Sequence, residues 1–373
     1  MKGILKILHT EASEGWGGQE IRILSESRWM RDRGHRVVLA APGSSHLIRK
    51  ASGEGFETIA VRFKKSRQIA DWVRLVHIIR SLRPDVVAAH SSVDSWVGLL
   101  AARFCKVPCA IRYRHFGFPV RNSRVNRWQY SRLCDRVITT ADFISKPLER
   151  MFRLPPGKVV TITTGVGFCE NGLSRETARS RLCAELRLPE NSRFIGCISV
   201  LRGGKGHLFL MDAFQLIADV YPELHLVIVG DGPQKGAIER KRLELPHNAR
   251  IHLVGHRDDP LSYFRAFEAA ILASVKPEGV PQSILQAMAA ECPVVGTTVG
   301  GIPEVLTDRQ TGLLVPPSDS RRLADAIQTV LDRPDLAALF TSKARAMVEQ
   351  KYSLDRMGHK VLEVIMDSLG RRE

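Results

Sequence analysis

The chain has 373 residues, 44% of them hydrophobic and 25% charged, enough to bury a large core and to divide into two domains. No run approaches eighteen apolar residues, which excludes a membrane-spanning helix, and seven cysteines without paired spacing read as buried reduced thiols and not as a disulfide scaffold. The net charge of +16 lies wholly in the first part, with 29 Lys and Arg against 13 Asp and Glu through Gly167 and 26 against 26 thereafter.

In chain order, the segment from Met1 to His9 reads as a first strand and not as a signal peptide, because its apolar stretch is short and lacks a small-residue cleavage site. The protein is therefore expected to be cytoplasmic or peripheral on a membrane. Short β-rich runs at 4–9, 37–41, 85–89, 109–113, 136–140 and 159–162 alternate with helical stretches. A polar, poorly patterned connector at 168–191 follows. The alternation then restarts at 194–199, 224–229, 250–254, 268–273, 293–296 and 312–315. The expected fold is α/β, with two Rossmann-like doubly wound parallel sheets in domains at 1–167 and 192–351, and a helix at 352–373. Ligands of such sheets sit outside the carboxyl ends of the strands, and two facing domains would place that crevice in a central cleft.

Two basic clusters stand out in the first domain: Arg62, Lys64, Lys65 and Arg67, then Arg121, Arg124, Arg127 and Arg132 interleaved with Trp128 and Tyr130. They fit an anionic membrane surface or a phosphorylated acceptor. Nucleic acid would suit the charge equally, but no DNA- or RNA-reading motif accompanies it, so no nucleic-acid partner is expected.

The richest stretch runs from Pro277 to Glu291, a glycine loop entering a helix at Pro281. Proline's fixed φ and missing N–H suit a first helical position, so the amides there, at Gln282 and in the loop at Gly279 and Val280, can face an anion. Glu278 would repel a phosphate and is better suited to accept hydrogen bonds from sugar hydroxyls. In Ser199 to His207, Arg202 and Lys205 lie three residues apart in a strand-to-helix turn suited to a diphosphate. This is no P-loop, since Ser199 stands where the first glycine belongs and Gly206 where the Ser or Thr belongs. In the first domain, Gly17 and Gly18 let backbone approach a ligand closely where a helix opens after the first strand. Gly15-Trp16-Gly17-Gly18-Gln19 nevertheless fails the dinucleotide fingerprint.

The stretch from Glu278 resembles the signature of retaining glycosyltransferases of family 4, among them enzymes of bacterial lipopolysaccharide and cell-surface polysaccharide synthesis, where a Glu, seven residues and a second Glu grip a nucleotide sugar. Here the eighth position is Gln286, which still accepts a hydrogen bond at the ribose but carries no charge. The family's Arg five residues before the lysine is Val200, so Arg202 would substitute from a shifted place. The resemblance implies a GT-B fold and transfer of a sugar from a nucleoside diphosphate to a hydroxyl of a glycan or lipid-linked acceptor. It implies Glu278, His115 and Lys205 as catalytic residues, with Gly17 and Gly18 at the donor diphosphate. It also implies His90, Asp94 and Arg114 on the acceptor side, and a last helix packed back on the first domain. Thr164-Gly165-Val166-Gly167 resembles the family's interdomain motif without its usual Asn and Asp. With no Asp-x-Asp pair or His-rich ligand set, no metal and no cofactor beyond the sugar nucleotide are expected. A nucleotide-sugar epimerase or a phosphorylase could use the same fold.

Overall fold

In the computed structural model, which describes residues 3–117, 120–168 and 173–370, the chain forms two compact units, Met1–Gly165 with Leu354–Glu373 and Val166–Ser353. The first contains β1 (Lys6–Thr10), α1 (Gly18–Arg31), β2 (Arg36–Ala41), α2 (His46–Gly53), β3 (Glu57–Ala60), α3 (Gln68–Leu82), β4 (Val86–Ala89), α4 (Ser92–Phe104), β5 (Cys109–Arg114), α5 (Arg124–Trp128), β6 (Arg136–Thr139), α6 (Asp142–Phe152) and β7 (Val159–Thr161). The second contains α7 (Arg175–Leu186), β8 (Arg193–Ile198), α8 (His207–Ile217), β9 (Leu224–Val229), α9 (Lys235–Leu243), β10 (Ile251–Gly255), α10 (Pro260–Ala266), β11 (Ala269–Leu272), α11 (Gln282–Ala289), β12 (Val294–Thr297), β13 (Leu313–Val315), α12 (Ser320–Asp332) and α13 (Pro334–Lys351). The last helix, α14 (Leu354–Gly370), belongs to the first unit.

Both sheets are parallel, in the orders β3-β2-β1-β4-β5-β6-β7 and β10-β9-β8-β11-β12-β13. Strands such as Leu224–Val229 are buried along their whole length because helices cover both faces, which is why they read as unbroken apolar runs. Strand β3, Glu-Thr-Ile-Ala at the sheet edge, was not expected: its half-exposed residues follow no apolar run, as suits an edge strand. In the expected connector, residues 169–172 lie outside the described residues, while α7 packs on α10 and Arg175 donates to the Phe267 carbonyl at 2.8 Å. In α14, Gly358 faces the Trp29 ring of α1 so closely that an added Cβ would stand 2.1 Å from it.

The order of each sheet reverses once, between β1 and β4 in the first unit and between β8 and β11 in the second. At these points neighbouring loops leave the strand ends in opposite directions and open a crevice.

Candidate functional site

At the reversal point of the second unit, the loop after β8 meets the loop after β11. The approach is so tight that only glycine fits: Gly206 has φ +71° and its Cβ would lie 1.8 Å from the Ala273 carbonyl oxygen, while the amide of Val275 donates to the Gly204 carbonyl at 2.8 Å. This juxtaposition brings Lys205 and Glu278 into an ion pair whose side chains are 11% and 13% exposed. The other carboxylate oxygen of Glu278 accepts from the Ser274 hydroxyl, and its carbonyl accepts from the Gly301 amide at 2.9 Å. Gly300, at φ +58°, leaves room for that turn, since a Cβ there would meet the Glu278 carbonyl oxygen at 2.4 Å. Glu278 is thus a fixed, paired acid and not a free loop carboxylate.

Pro281 is the N-cap residue, with extended backbone, so α11 starts one residue later than expected, at Gln282. The amides of Gln282 and Ser283 belong to the unsatisfied first turn, beside the buried Gly279 and Val280. The side-chain oxygen of Gln282 is buried with no partner among the described residues, the kind of exception a bound ligand explains. Gln286, one turn further, is half-buried. Arg202 lies in the same turn as Lys205, half-buried. Gly230 and Gly232 press the next loop against Ser199 and Leu201, where a Cβ would meet backbone oxygens at 1.9 and 2.5 Å, so the Gly-Asp-Gly-Pro turn is required by packing.

The first unit's reversal point holds a buried polar cluster. His9 is the penultimate residue of β1, His90 follows β4 and His115 follows β5, and their rings form a row: His9 Nδ1 to His90 Nε2 is 2.9 Å and His90 Nδ1 to His115 Nε2 is 3.0 Å. Burial lowers all three, holding His9 at about 4, so the rings are neutral at pH 7. Neutral rings have one N–H each, so His90 donates through one nitrogen and accepts through the other, and the row has two tautomer sets. These interconvert when a proton enters at one end and leaves at the other. His9 Nε2 is buried without a partner among the described residues.

Asp94, fully buried in the first turn of α4, accepts from Thr10 Oγ1 at 3.0 Å and from the His90 amide at 2.9 Å, and burial raises its pKa well above the ordinary value. Glu11 accepts from Ser91 and Gln19, and Arg112 donates to the His90 and Ser91 carbonyls at 3.0 and 2.8 Å. Burial, with the nearby Glu11 charge adding, lifts Glu20 to about 7. Behind the row, Tyr113 donates to Glu26, which lies 3.6 Å from Arg22, all three buried. Gly17 is the N-cap of α1 and Gly18 its first residue.

The structure therefore gathers His90, Asp94 and His115 around one strand edge, but not Arg114. Arg112, on the same face of β5, turns to the His90 and Ser91 carbonyls, whereas the Arg114 guanidinium reaches the Tyr130 hydroxyl at 3.5 Å. Sequence reading missed His9, Thr10, Glu11, Gln19, Glu20 and Arg112. The available signal was polar residues placed at the ends of apolar strands. Among the described residues, no group of three or more His, Cys, Asp or Glu is arranged to hold a metal ion.

The sequence model of the family described as Glycosyltransferase Family 4 matches residues 16–167, and that described as Glycosyl transferases group 1 matches residues 192–333. The chain is 26% identical over 343 residues to a D-inositol 3-phosphate glycosyltransferase of Streptomyces scabiei, covering 84% of this chain and 75% of the relative. It is 26% identical over 289 residues to the N-acetylgalactosamine-N,N'-diacetylbacillosaminyl-diphospho-undecaprenol 4-alpha-N-acetylgalactosaminyltransferase of Campylobacter jejuni, covering 75% and 74%. The crystal structure of Anabaena Alr3699/HepE with UDP-glucose superposes with a TM-score of 0.84 at 20% identity, over 97% of this chain and all of that one. Two parallel doubly wound sheets, crevices at both reversal points and family matches that between them span most of the sequence make this chain a GT-B glycosyltransferase of family 4.

Proposed function

We propose that the protein transfers a sugar, with retention at the anomeric carbon and without a metal ion, from a nucleoside-diphosphate sugar to a hydroxyl of a lipid-linked glycan in bacterial cell-surface polysaccharide synthesis. The observation that carries this reading is the Lys205–Glu278 pair beside the open first turn of α11, a cation, an acid and free amides at one reversal point. Lys205, Arg202 and the amides from Gly279 to Gln282 would hold the diphosphate, and Glu278 would turn to the sugar hydroxyls once the diphosphate takes Lys205 from it. Gln286 would accept from the ribose. In a front-face displacement the anomeric carbon–phosphate oxygen bond breaks as the acceptor oxygen bonds to the same face, and the acceptor proton passes to the departing diphosphate. No protein nucleophile is needed, and stabilising the leaving charge is the main catalytic contribution. The Anabaena protein's UDP-glucose and the Campylobacter enzyme's diphospho-undecaprenol acceptor support this choice of donor and acceptor class.

The excess basic charge of residues 1–167 supports work at the anionic cytoplasmic face of a membrane, where each engaged Lys or Arg contributes about 1 kcal/mol. No described helix is long and apolar enough to cross one. A labelled sugar-nucleotide panel tests the reading: transfer to a lipid extract, with the product's anomeric configuration matching the donor's and the rate unchanged by EDTA, is the expected result. Inversion, or a strict Mg²⁺ or Mn²⁺ requirement in the chemical step, overturns the mechanism. Co-sedimentation with anionic but not neutral vesicles, lost in high salt, tests the membrane assignment, and equal behaviour of the two vesicle types refutes it.

A further inference from the structure

Helices α3 and α4 of the first unit pack side by side, and the chain from Arg124 through a π turn at Gln129–Leu133 flanks them. Three apolar side chains here are left out of the core: Ile69, Phe104 and Trp128 are 82%, 54% and 45% exposed. With Trp72, Trp96 and Leu100 they line a cavity of about 640 Å³, within the size range of small-ligand sites. Its aromatic rings pack against one another. Trp96 and Trp128 stack with centroids 6.4 Å apart, and Trp72 meets Phe104 edge-on at 5.1 Å. An apolar hollow of this kind on a protein surface marks a site of contact.

Charge indicates the occupant. Arg103 and Arg132 form part of the lining, Arg80 lies over the Phe104 ring at 5.4 Å, and Arg124 and Arg127 are exposed beside Trp128. Asp135, paired with Arg103 at 2.9 Å, offsets that one arginine, while Asp71 and Asp94 are buried, which leaves Arg80, Arg124, Arg127 and Arg132 to set the charge of the rim. A second copy of this chain would bring a like-charged first unit to the rim. An apolar chain ending in phosphate matches both the lining and the rim.

We propose, resting on the transferase reading above, that this hollow seats the apolar chain of the lipid-linked acceptor, with its phosphate against the arginine rim. The protein then selects its acceptor by tail and phosphate as well as by sugar. Three of the five tryptophans line the hollow, so intrinsic fluorescence reports occupancy. Titration of the full chain with farnesyl diphosphate below its micellar concentration is expected to give a saturable change, with affinity on the order of tenfold above that for farnesol or inorganic diphosphate. Ile69→Glu and Trp128→Glu, at exposed positions, are expected to weaken it by a similar factor with unchanged thermal midpoints. Equal affinity for inorganic diphosphate, or unaltered binding in both variants, overturns the proposal. Binding to vesicles but not to monomeric farnesyl diphosphate makes the hollow a bilayer-facing patch and overturns it too, as does a dimer abolished by Ile69→Glu. The titration needs no sugar donor, so its failure leaves the transferase reading standing.

Discussion

Glu278→Gln is expected to destabilise the second unit even without substrate. The carboxylate pairs with Lys205 inside a nearly closed site, the two side chains being 13% and 11% exposed, and its second oxygen accepts from Ser274. Neutralising it leaves an ammonium group almost dry and without its anion. Breaking a buried pair from one side costs about 3–5 kcal/mol, and the residual exposure here puts the cost near 3. For a unit of this size that lowers the melting temperature by roughly 6–12 °C. Lys205→Met strands the carboxylate instead and should cost a similar amount. The double variant leaves neither charge exposed to the apolar surroundings, so it should lie within about 1 kcal/mol of the wild type, giving a large favourable coupling. Calorimetry on the four proteins at pH 7 measures this. Inorganic diphosphate should restore part of the stability lost in Glu278→Gln, because it replaces the missing anion beside Lys205. Single-variant effects below about 1 kcal/mol, or a double variant that equals their sum, would refute the reasoning.

Glu20 keeps a proton up to about pH 7 in the folded protein but releases it near its ordinary 4.5 when unfolded, so its contribution to stability falls as pH rises through that interval. Glu20→Gln should therefore match the wild type at pH 4 and exceed it by roughly 3 kcal/mol at pH 8 in urea denaturation, and a difference independent of pH would refute this. Gly206→Ala should cost several degrees of thermal midpoint and abolish diphosphate binding, because its Cβ would lie 1.8 Å from a backbone oxygen. Gly203→Ala, with nothing within 4 Å, serves as the near-neutral control. Gln286→Glu changes a half-buried position and should shift stability by less than about 0.5 kcal/mol while modestly tightening donor binding; unfolding of the variant would place this residue in the core.

The sequence by itself determined most of the two sheets. Fully buried parallel strands must be apolar along their whole length, so segments such as Leu224–Val229 are legible without partners, whereas the edge strand Glu57–Ala60 is not. It also carried the glycines at 206, 230, 232 and 300, where a Cβ would meet a backbone oxygen and no other residue fits. Only the tertiary structure decided which side chains meet. Lys205 and Glu278 are 73 residues apart, and His9 and His90 are 81 apart, yet each pair is joined because parallel strands carry both to the same edge of one sheet. Nothing local in Leu8-His9-Thr10-Glu11 distinguishes a ligand-edge cluster from solvated loop residues. Their perturbed protonation comes from burial under α1 and α4, which depends on long-range packing and not on neighbours in the chain. The apolar hollow shows the same division: Trp128 stands out only as an aromatic among arginines and Ile69 and Trp96 not at all, until three separate helices bring them to one surface.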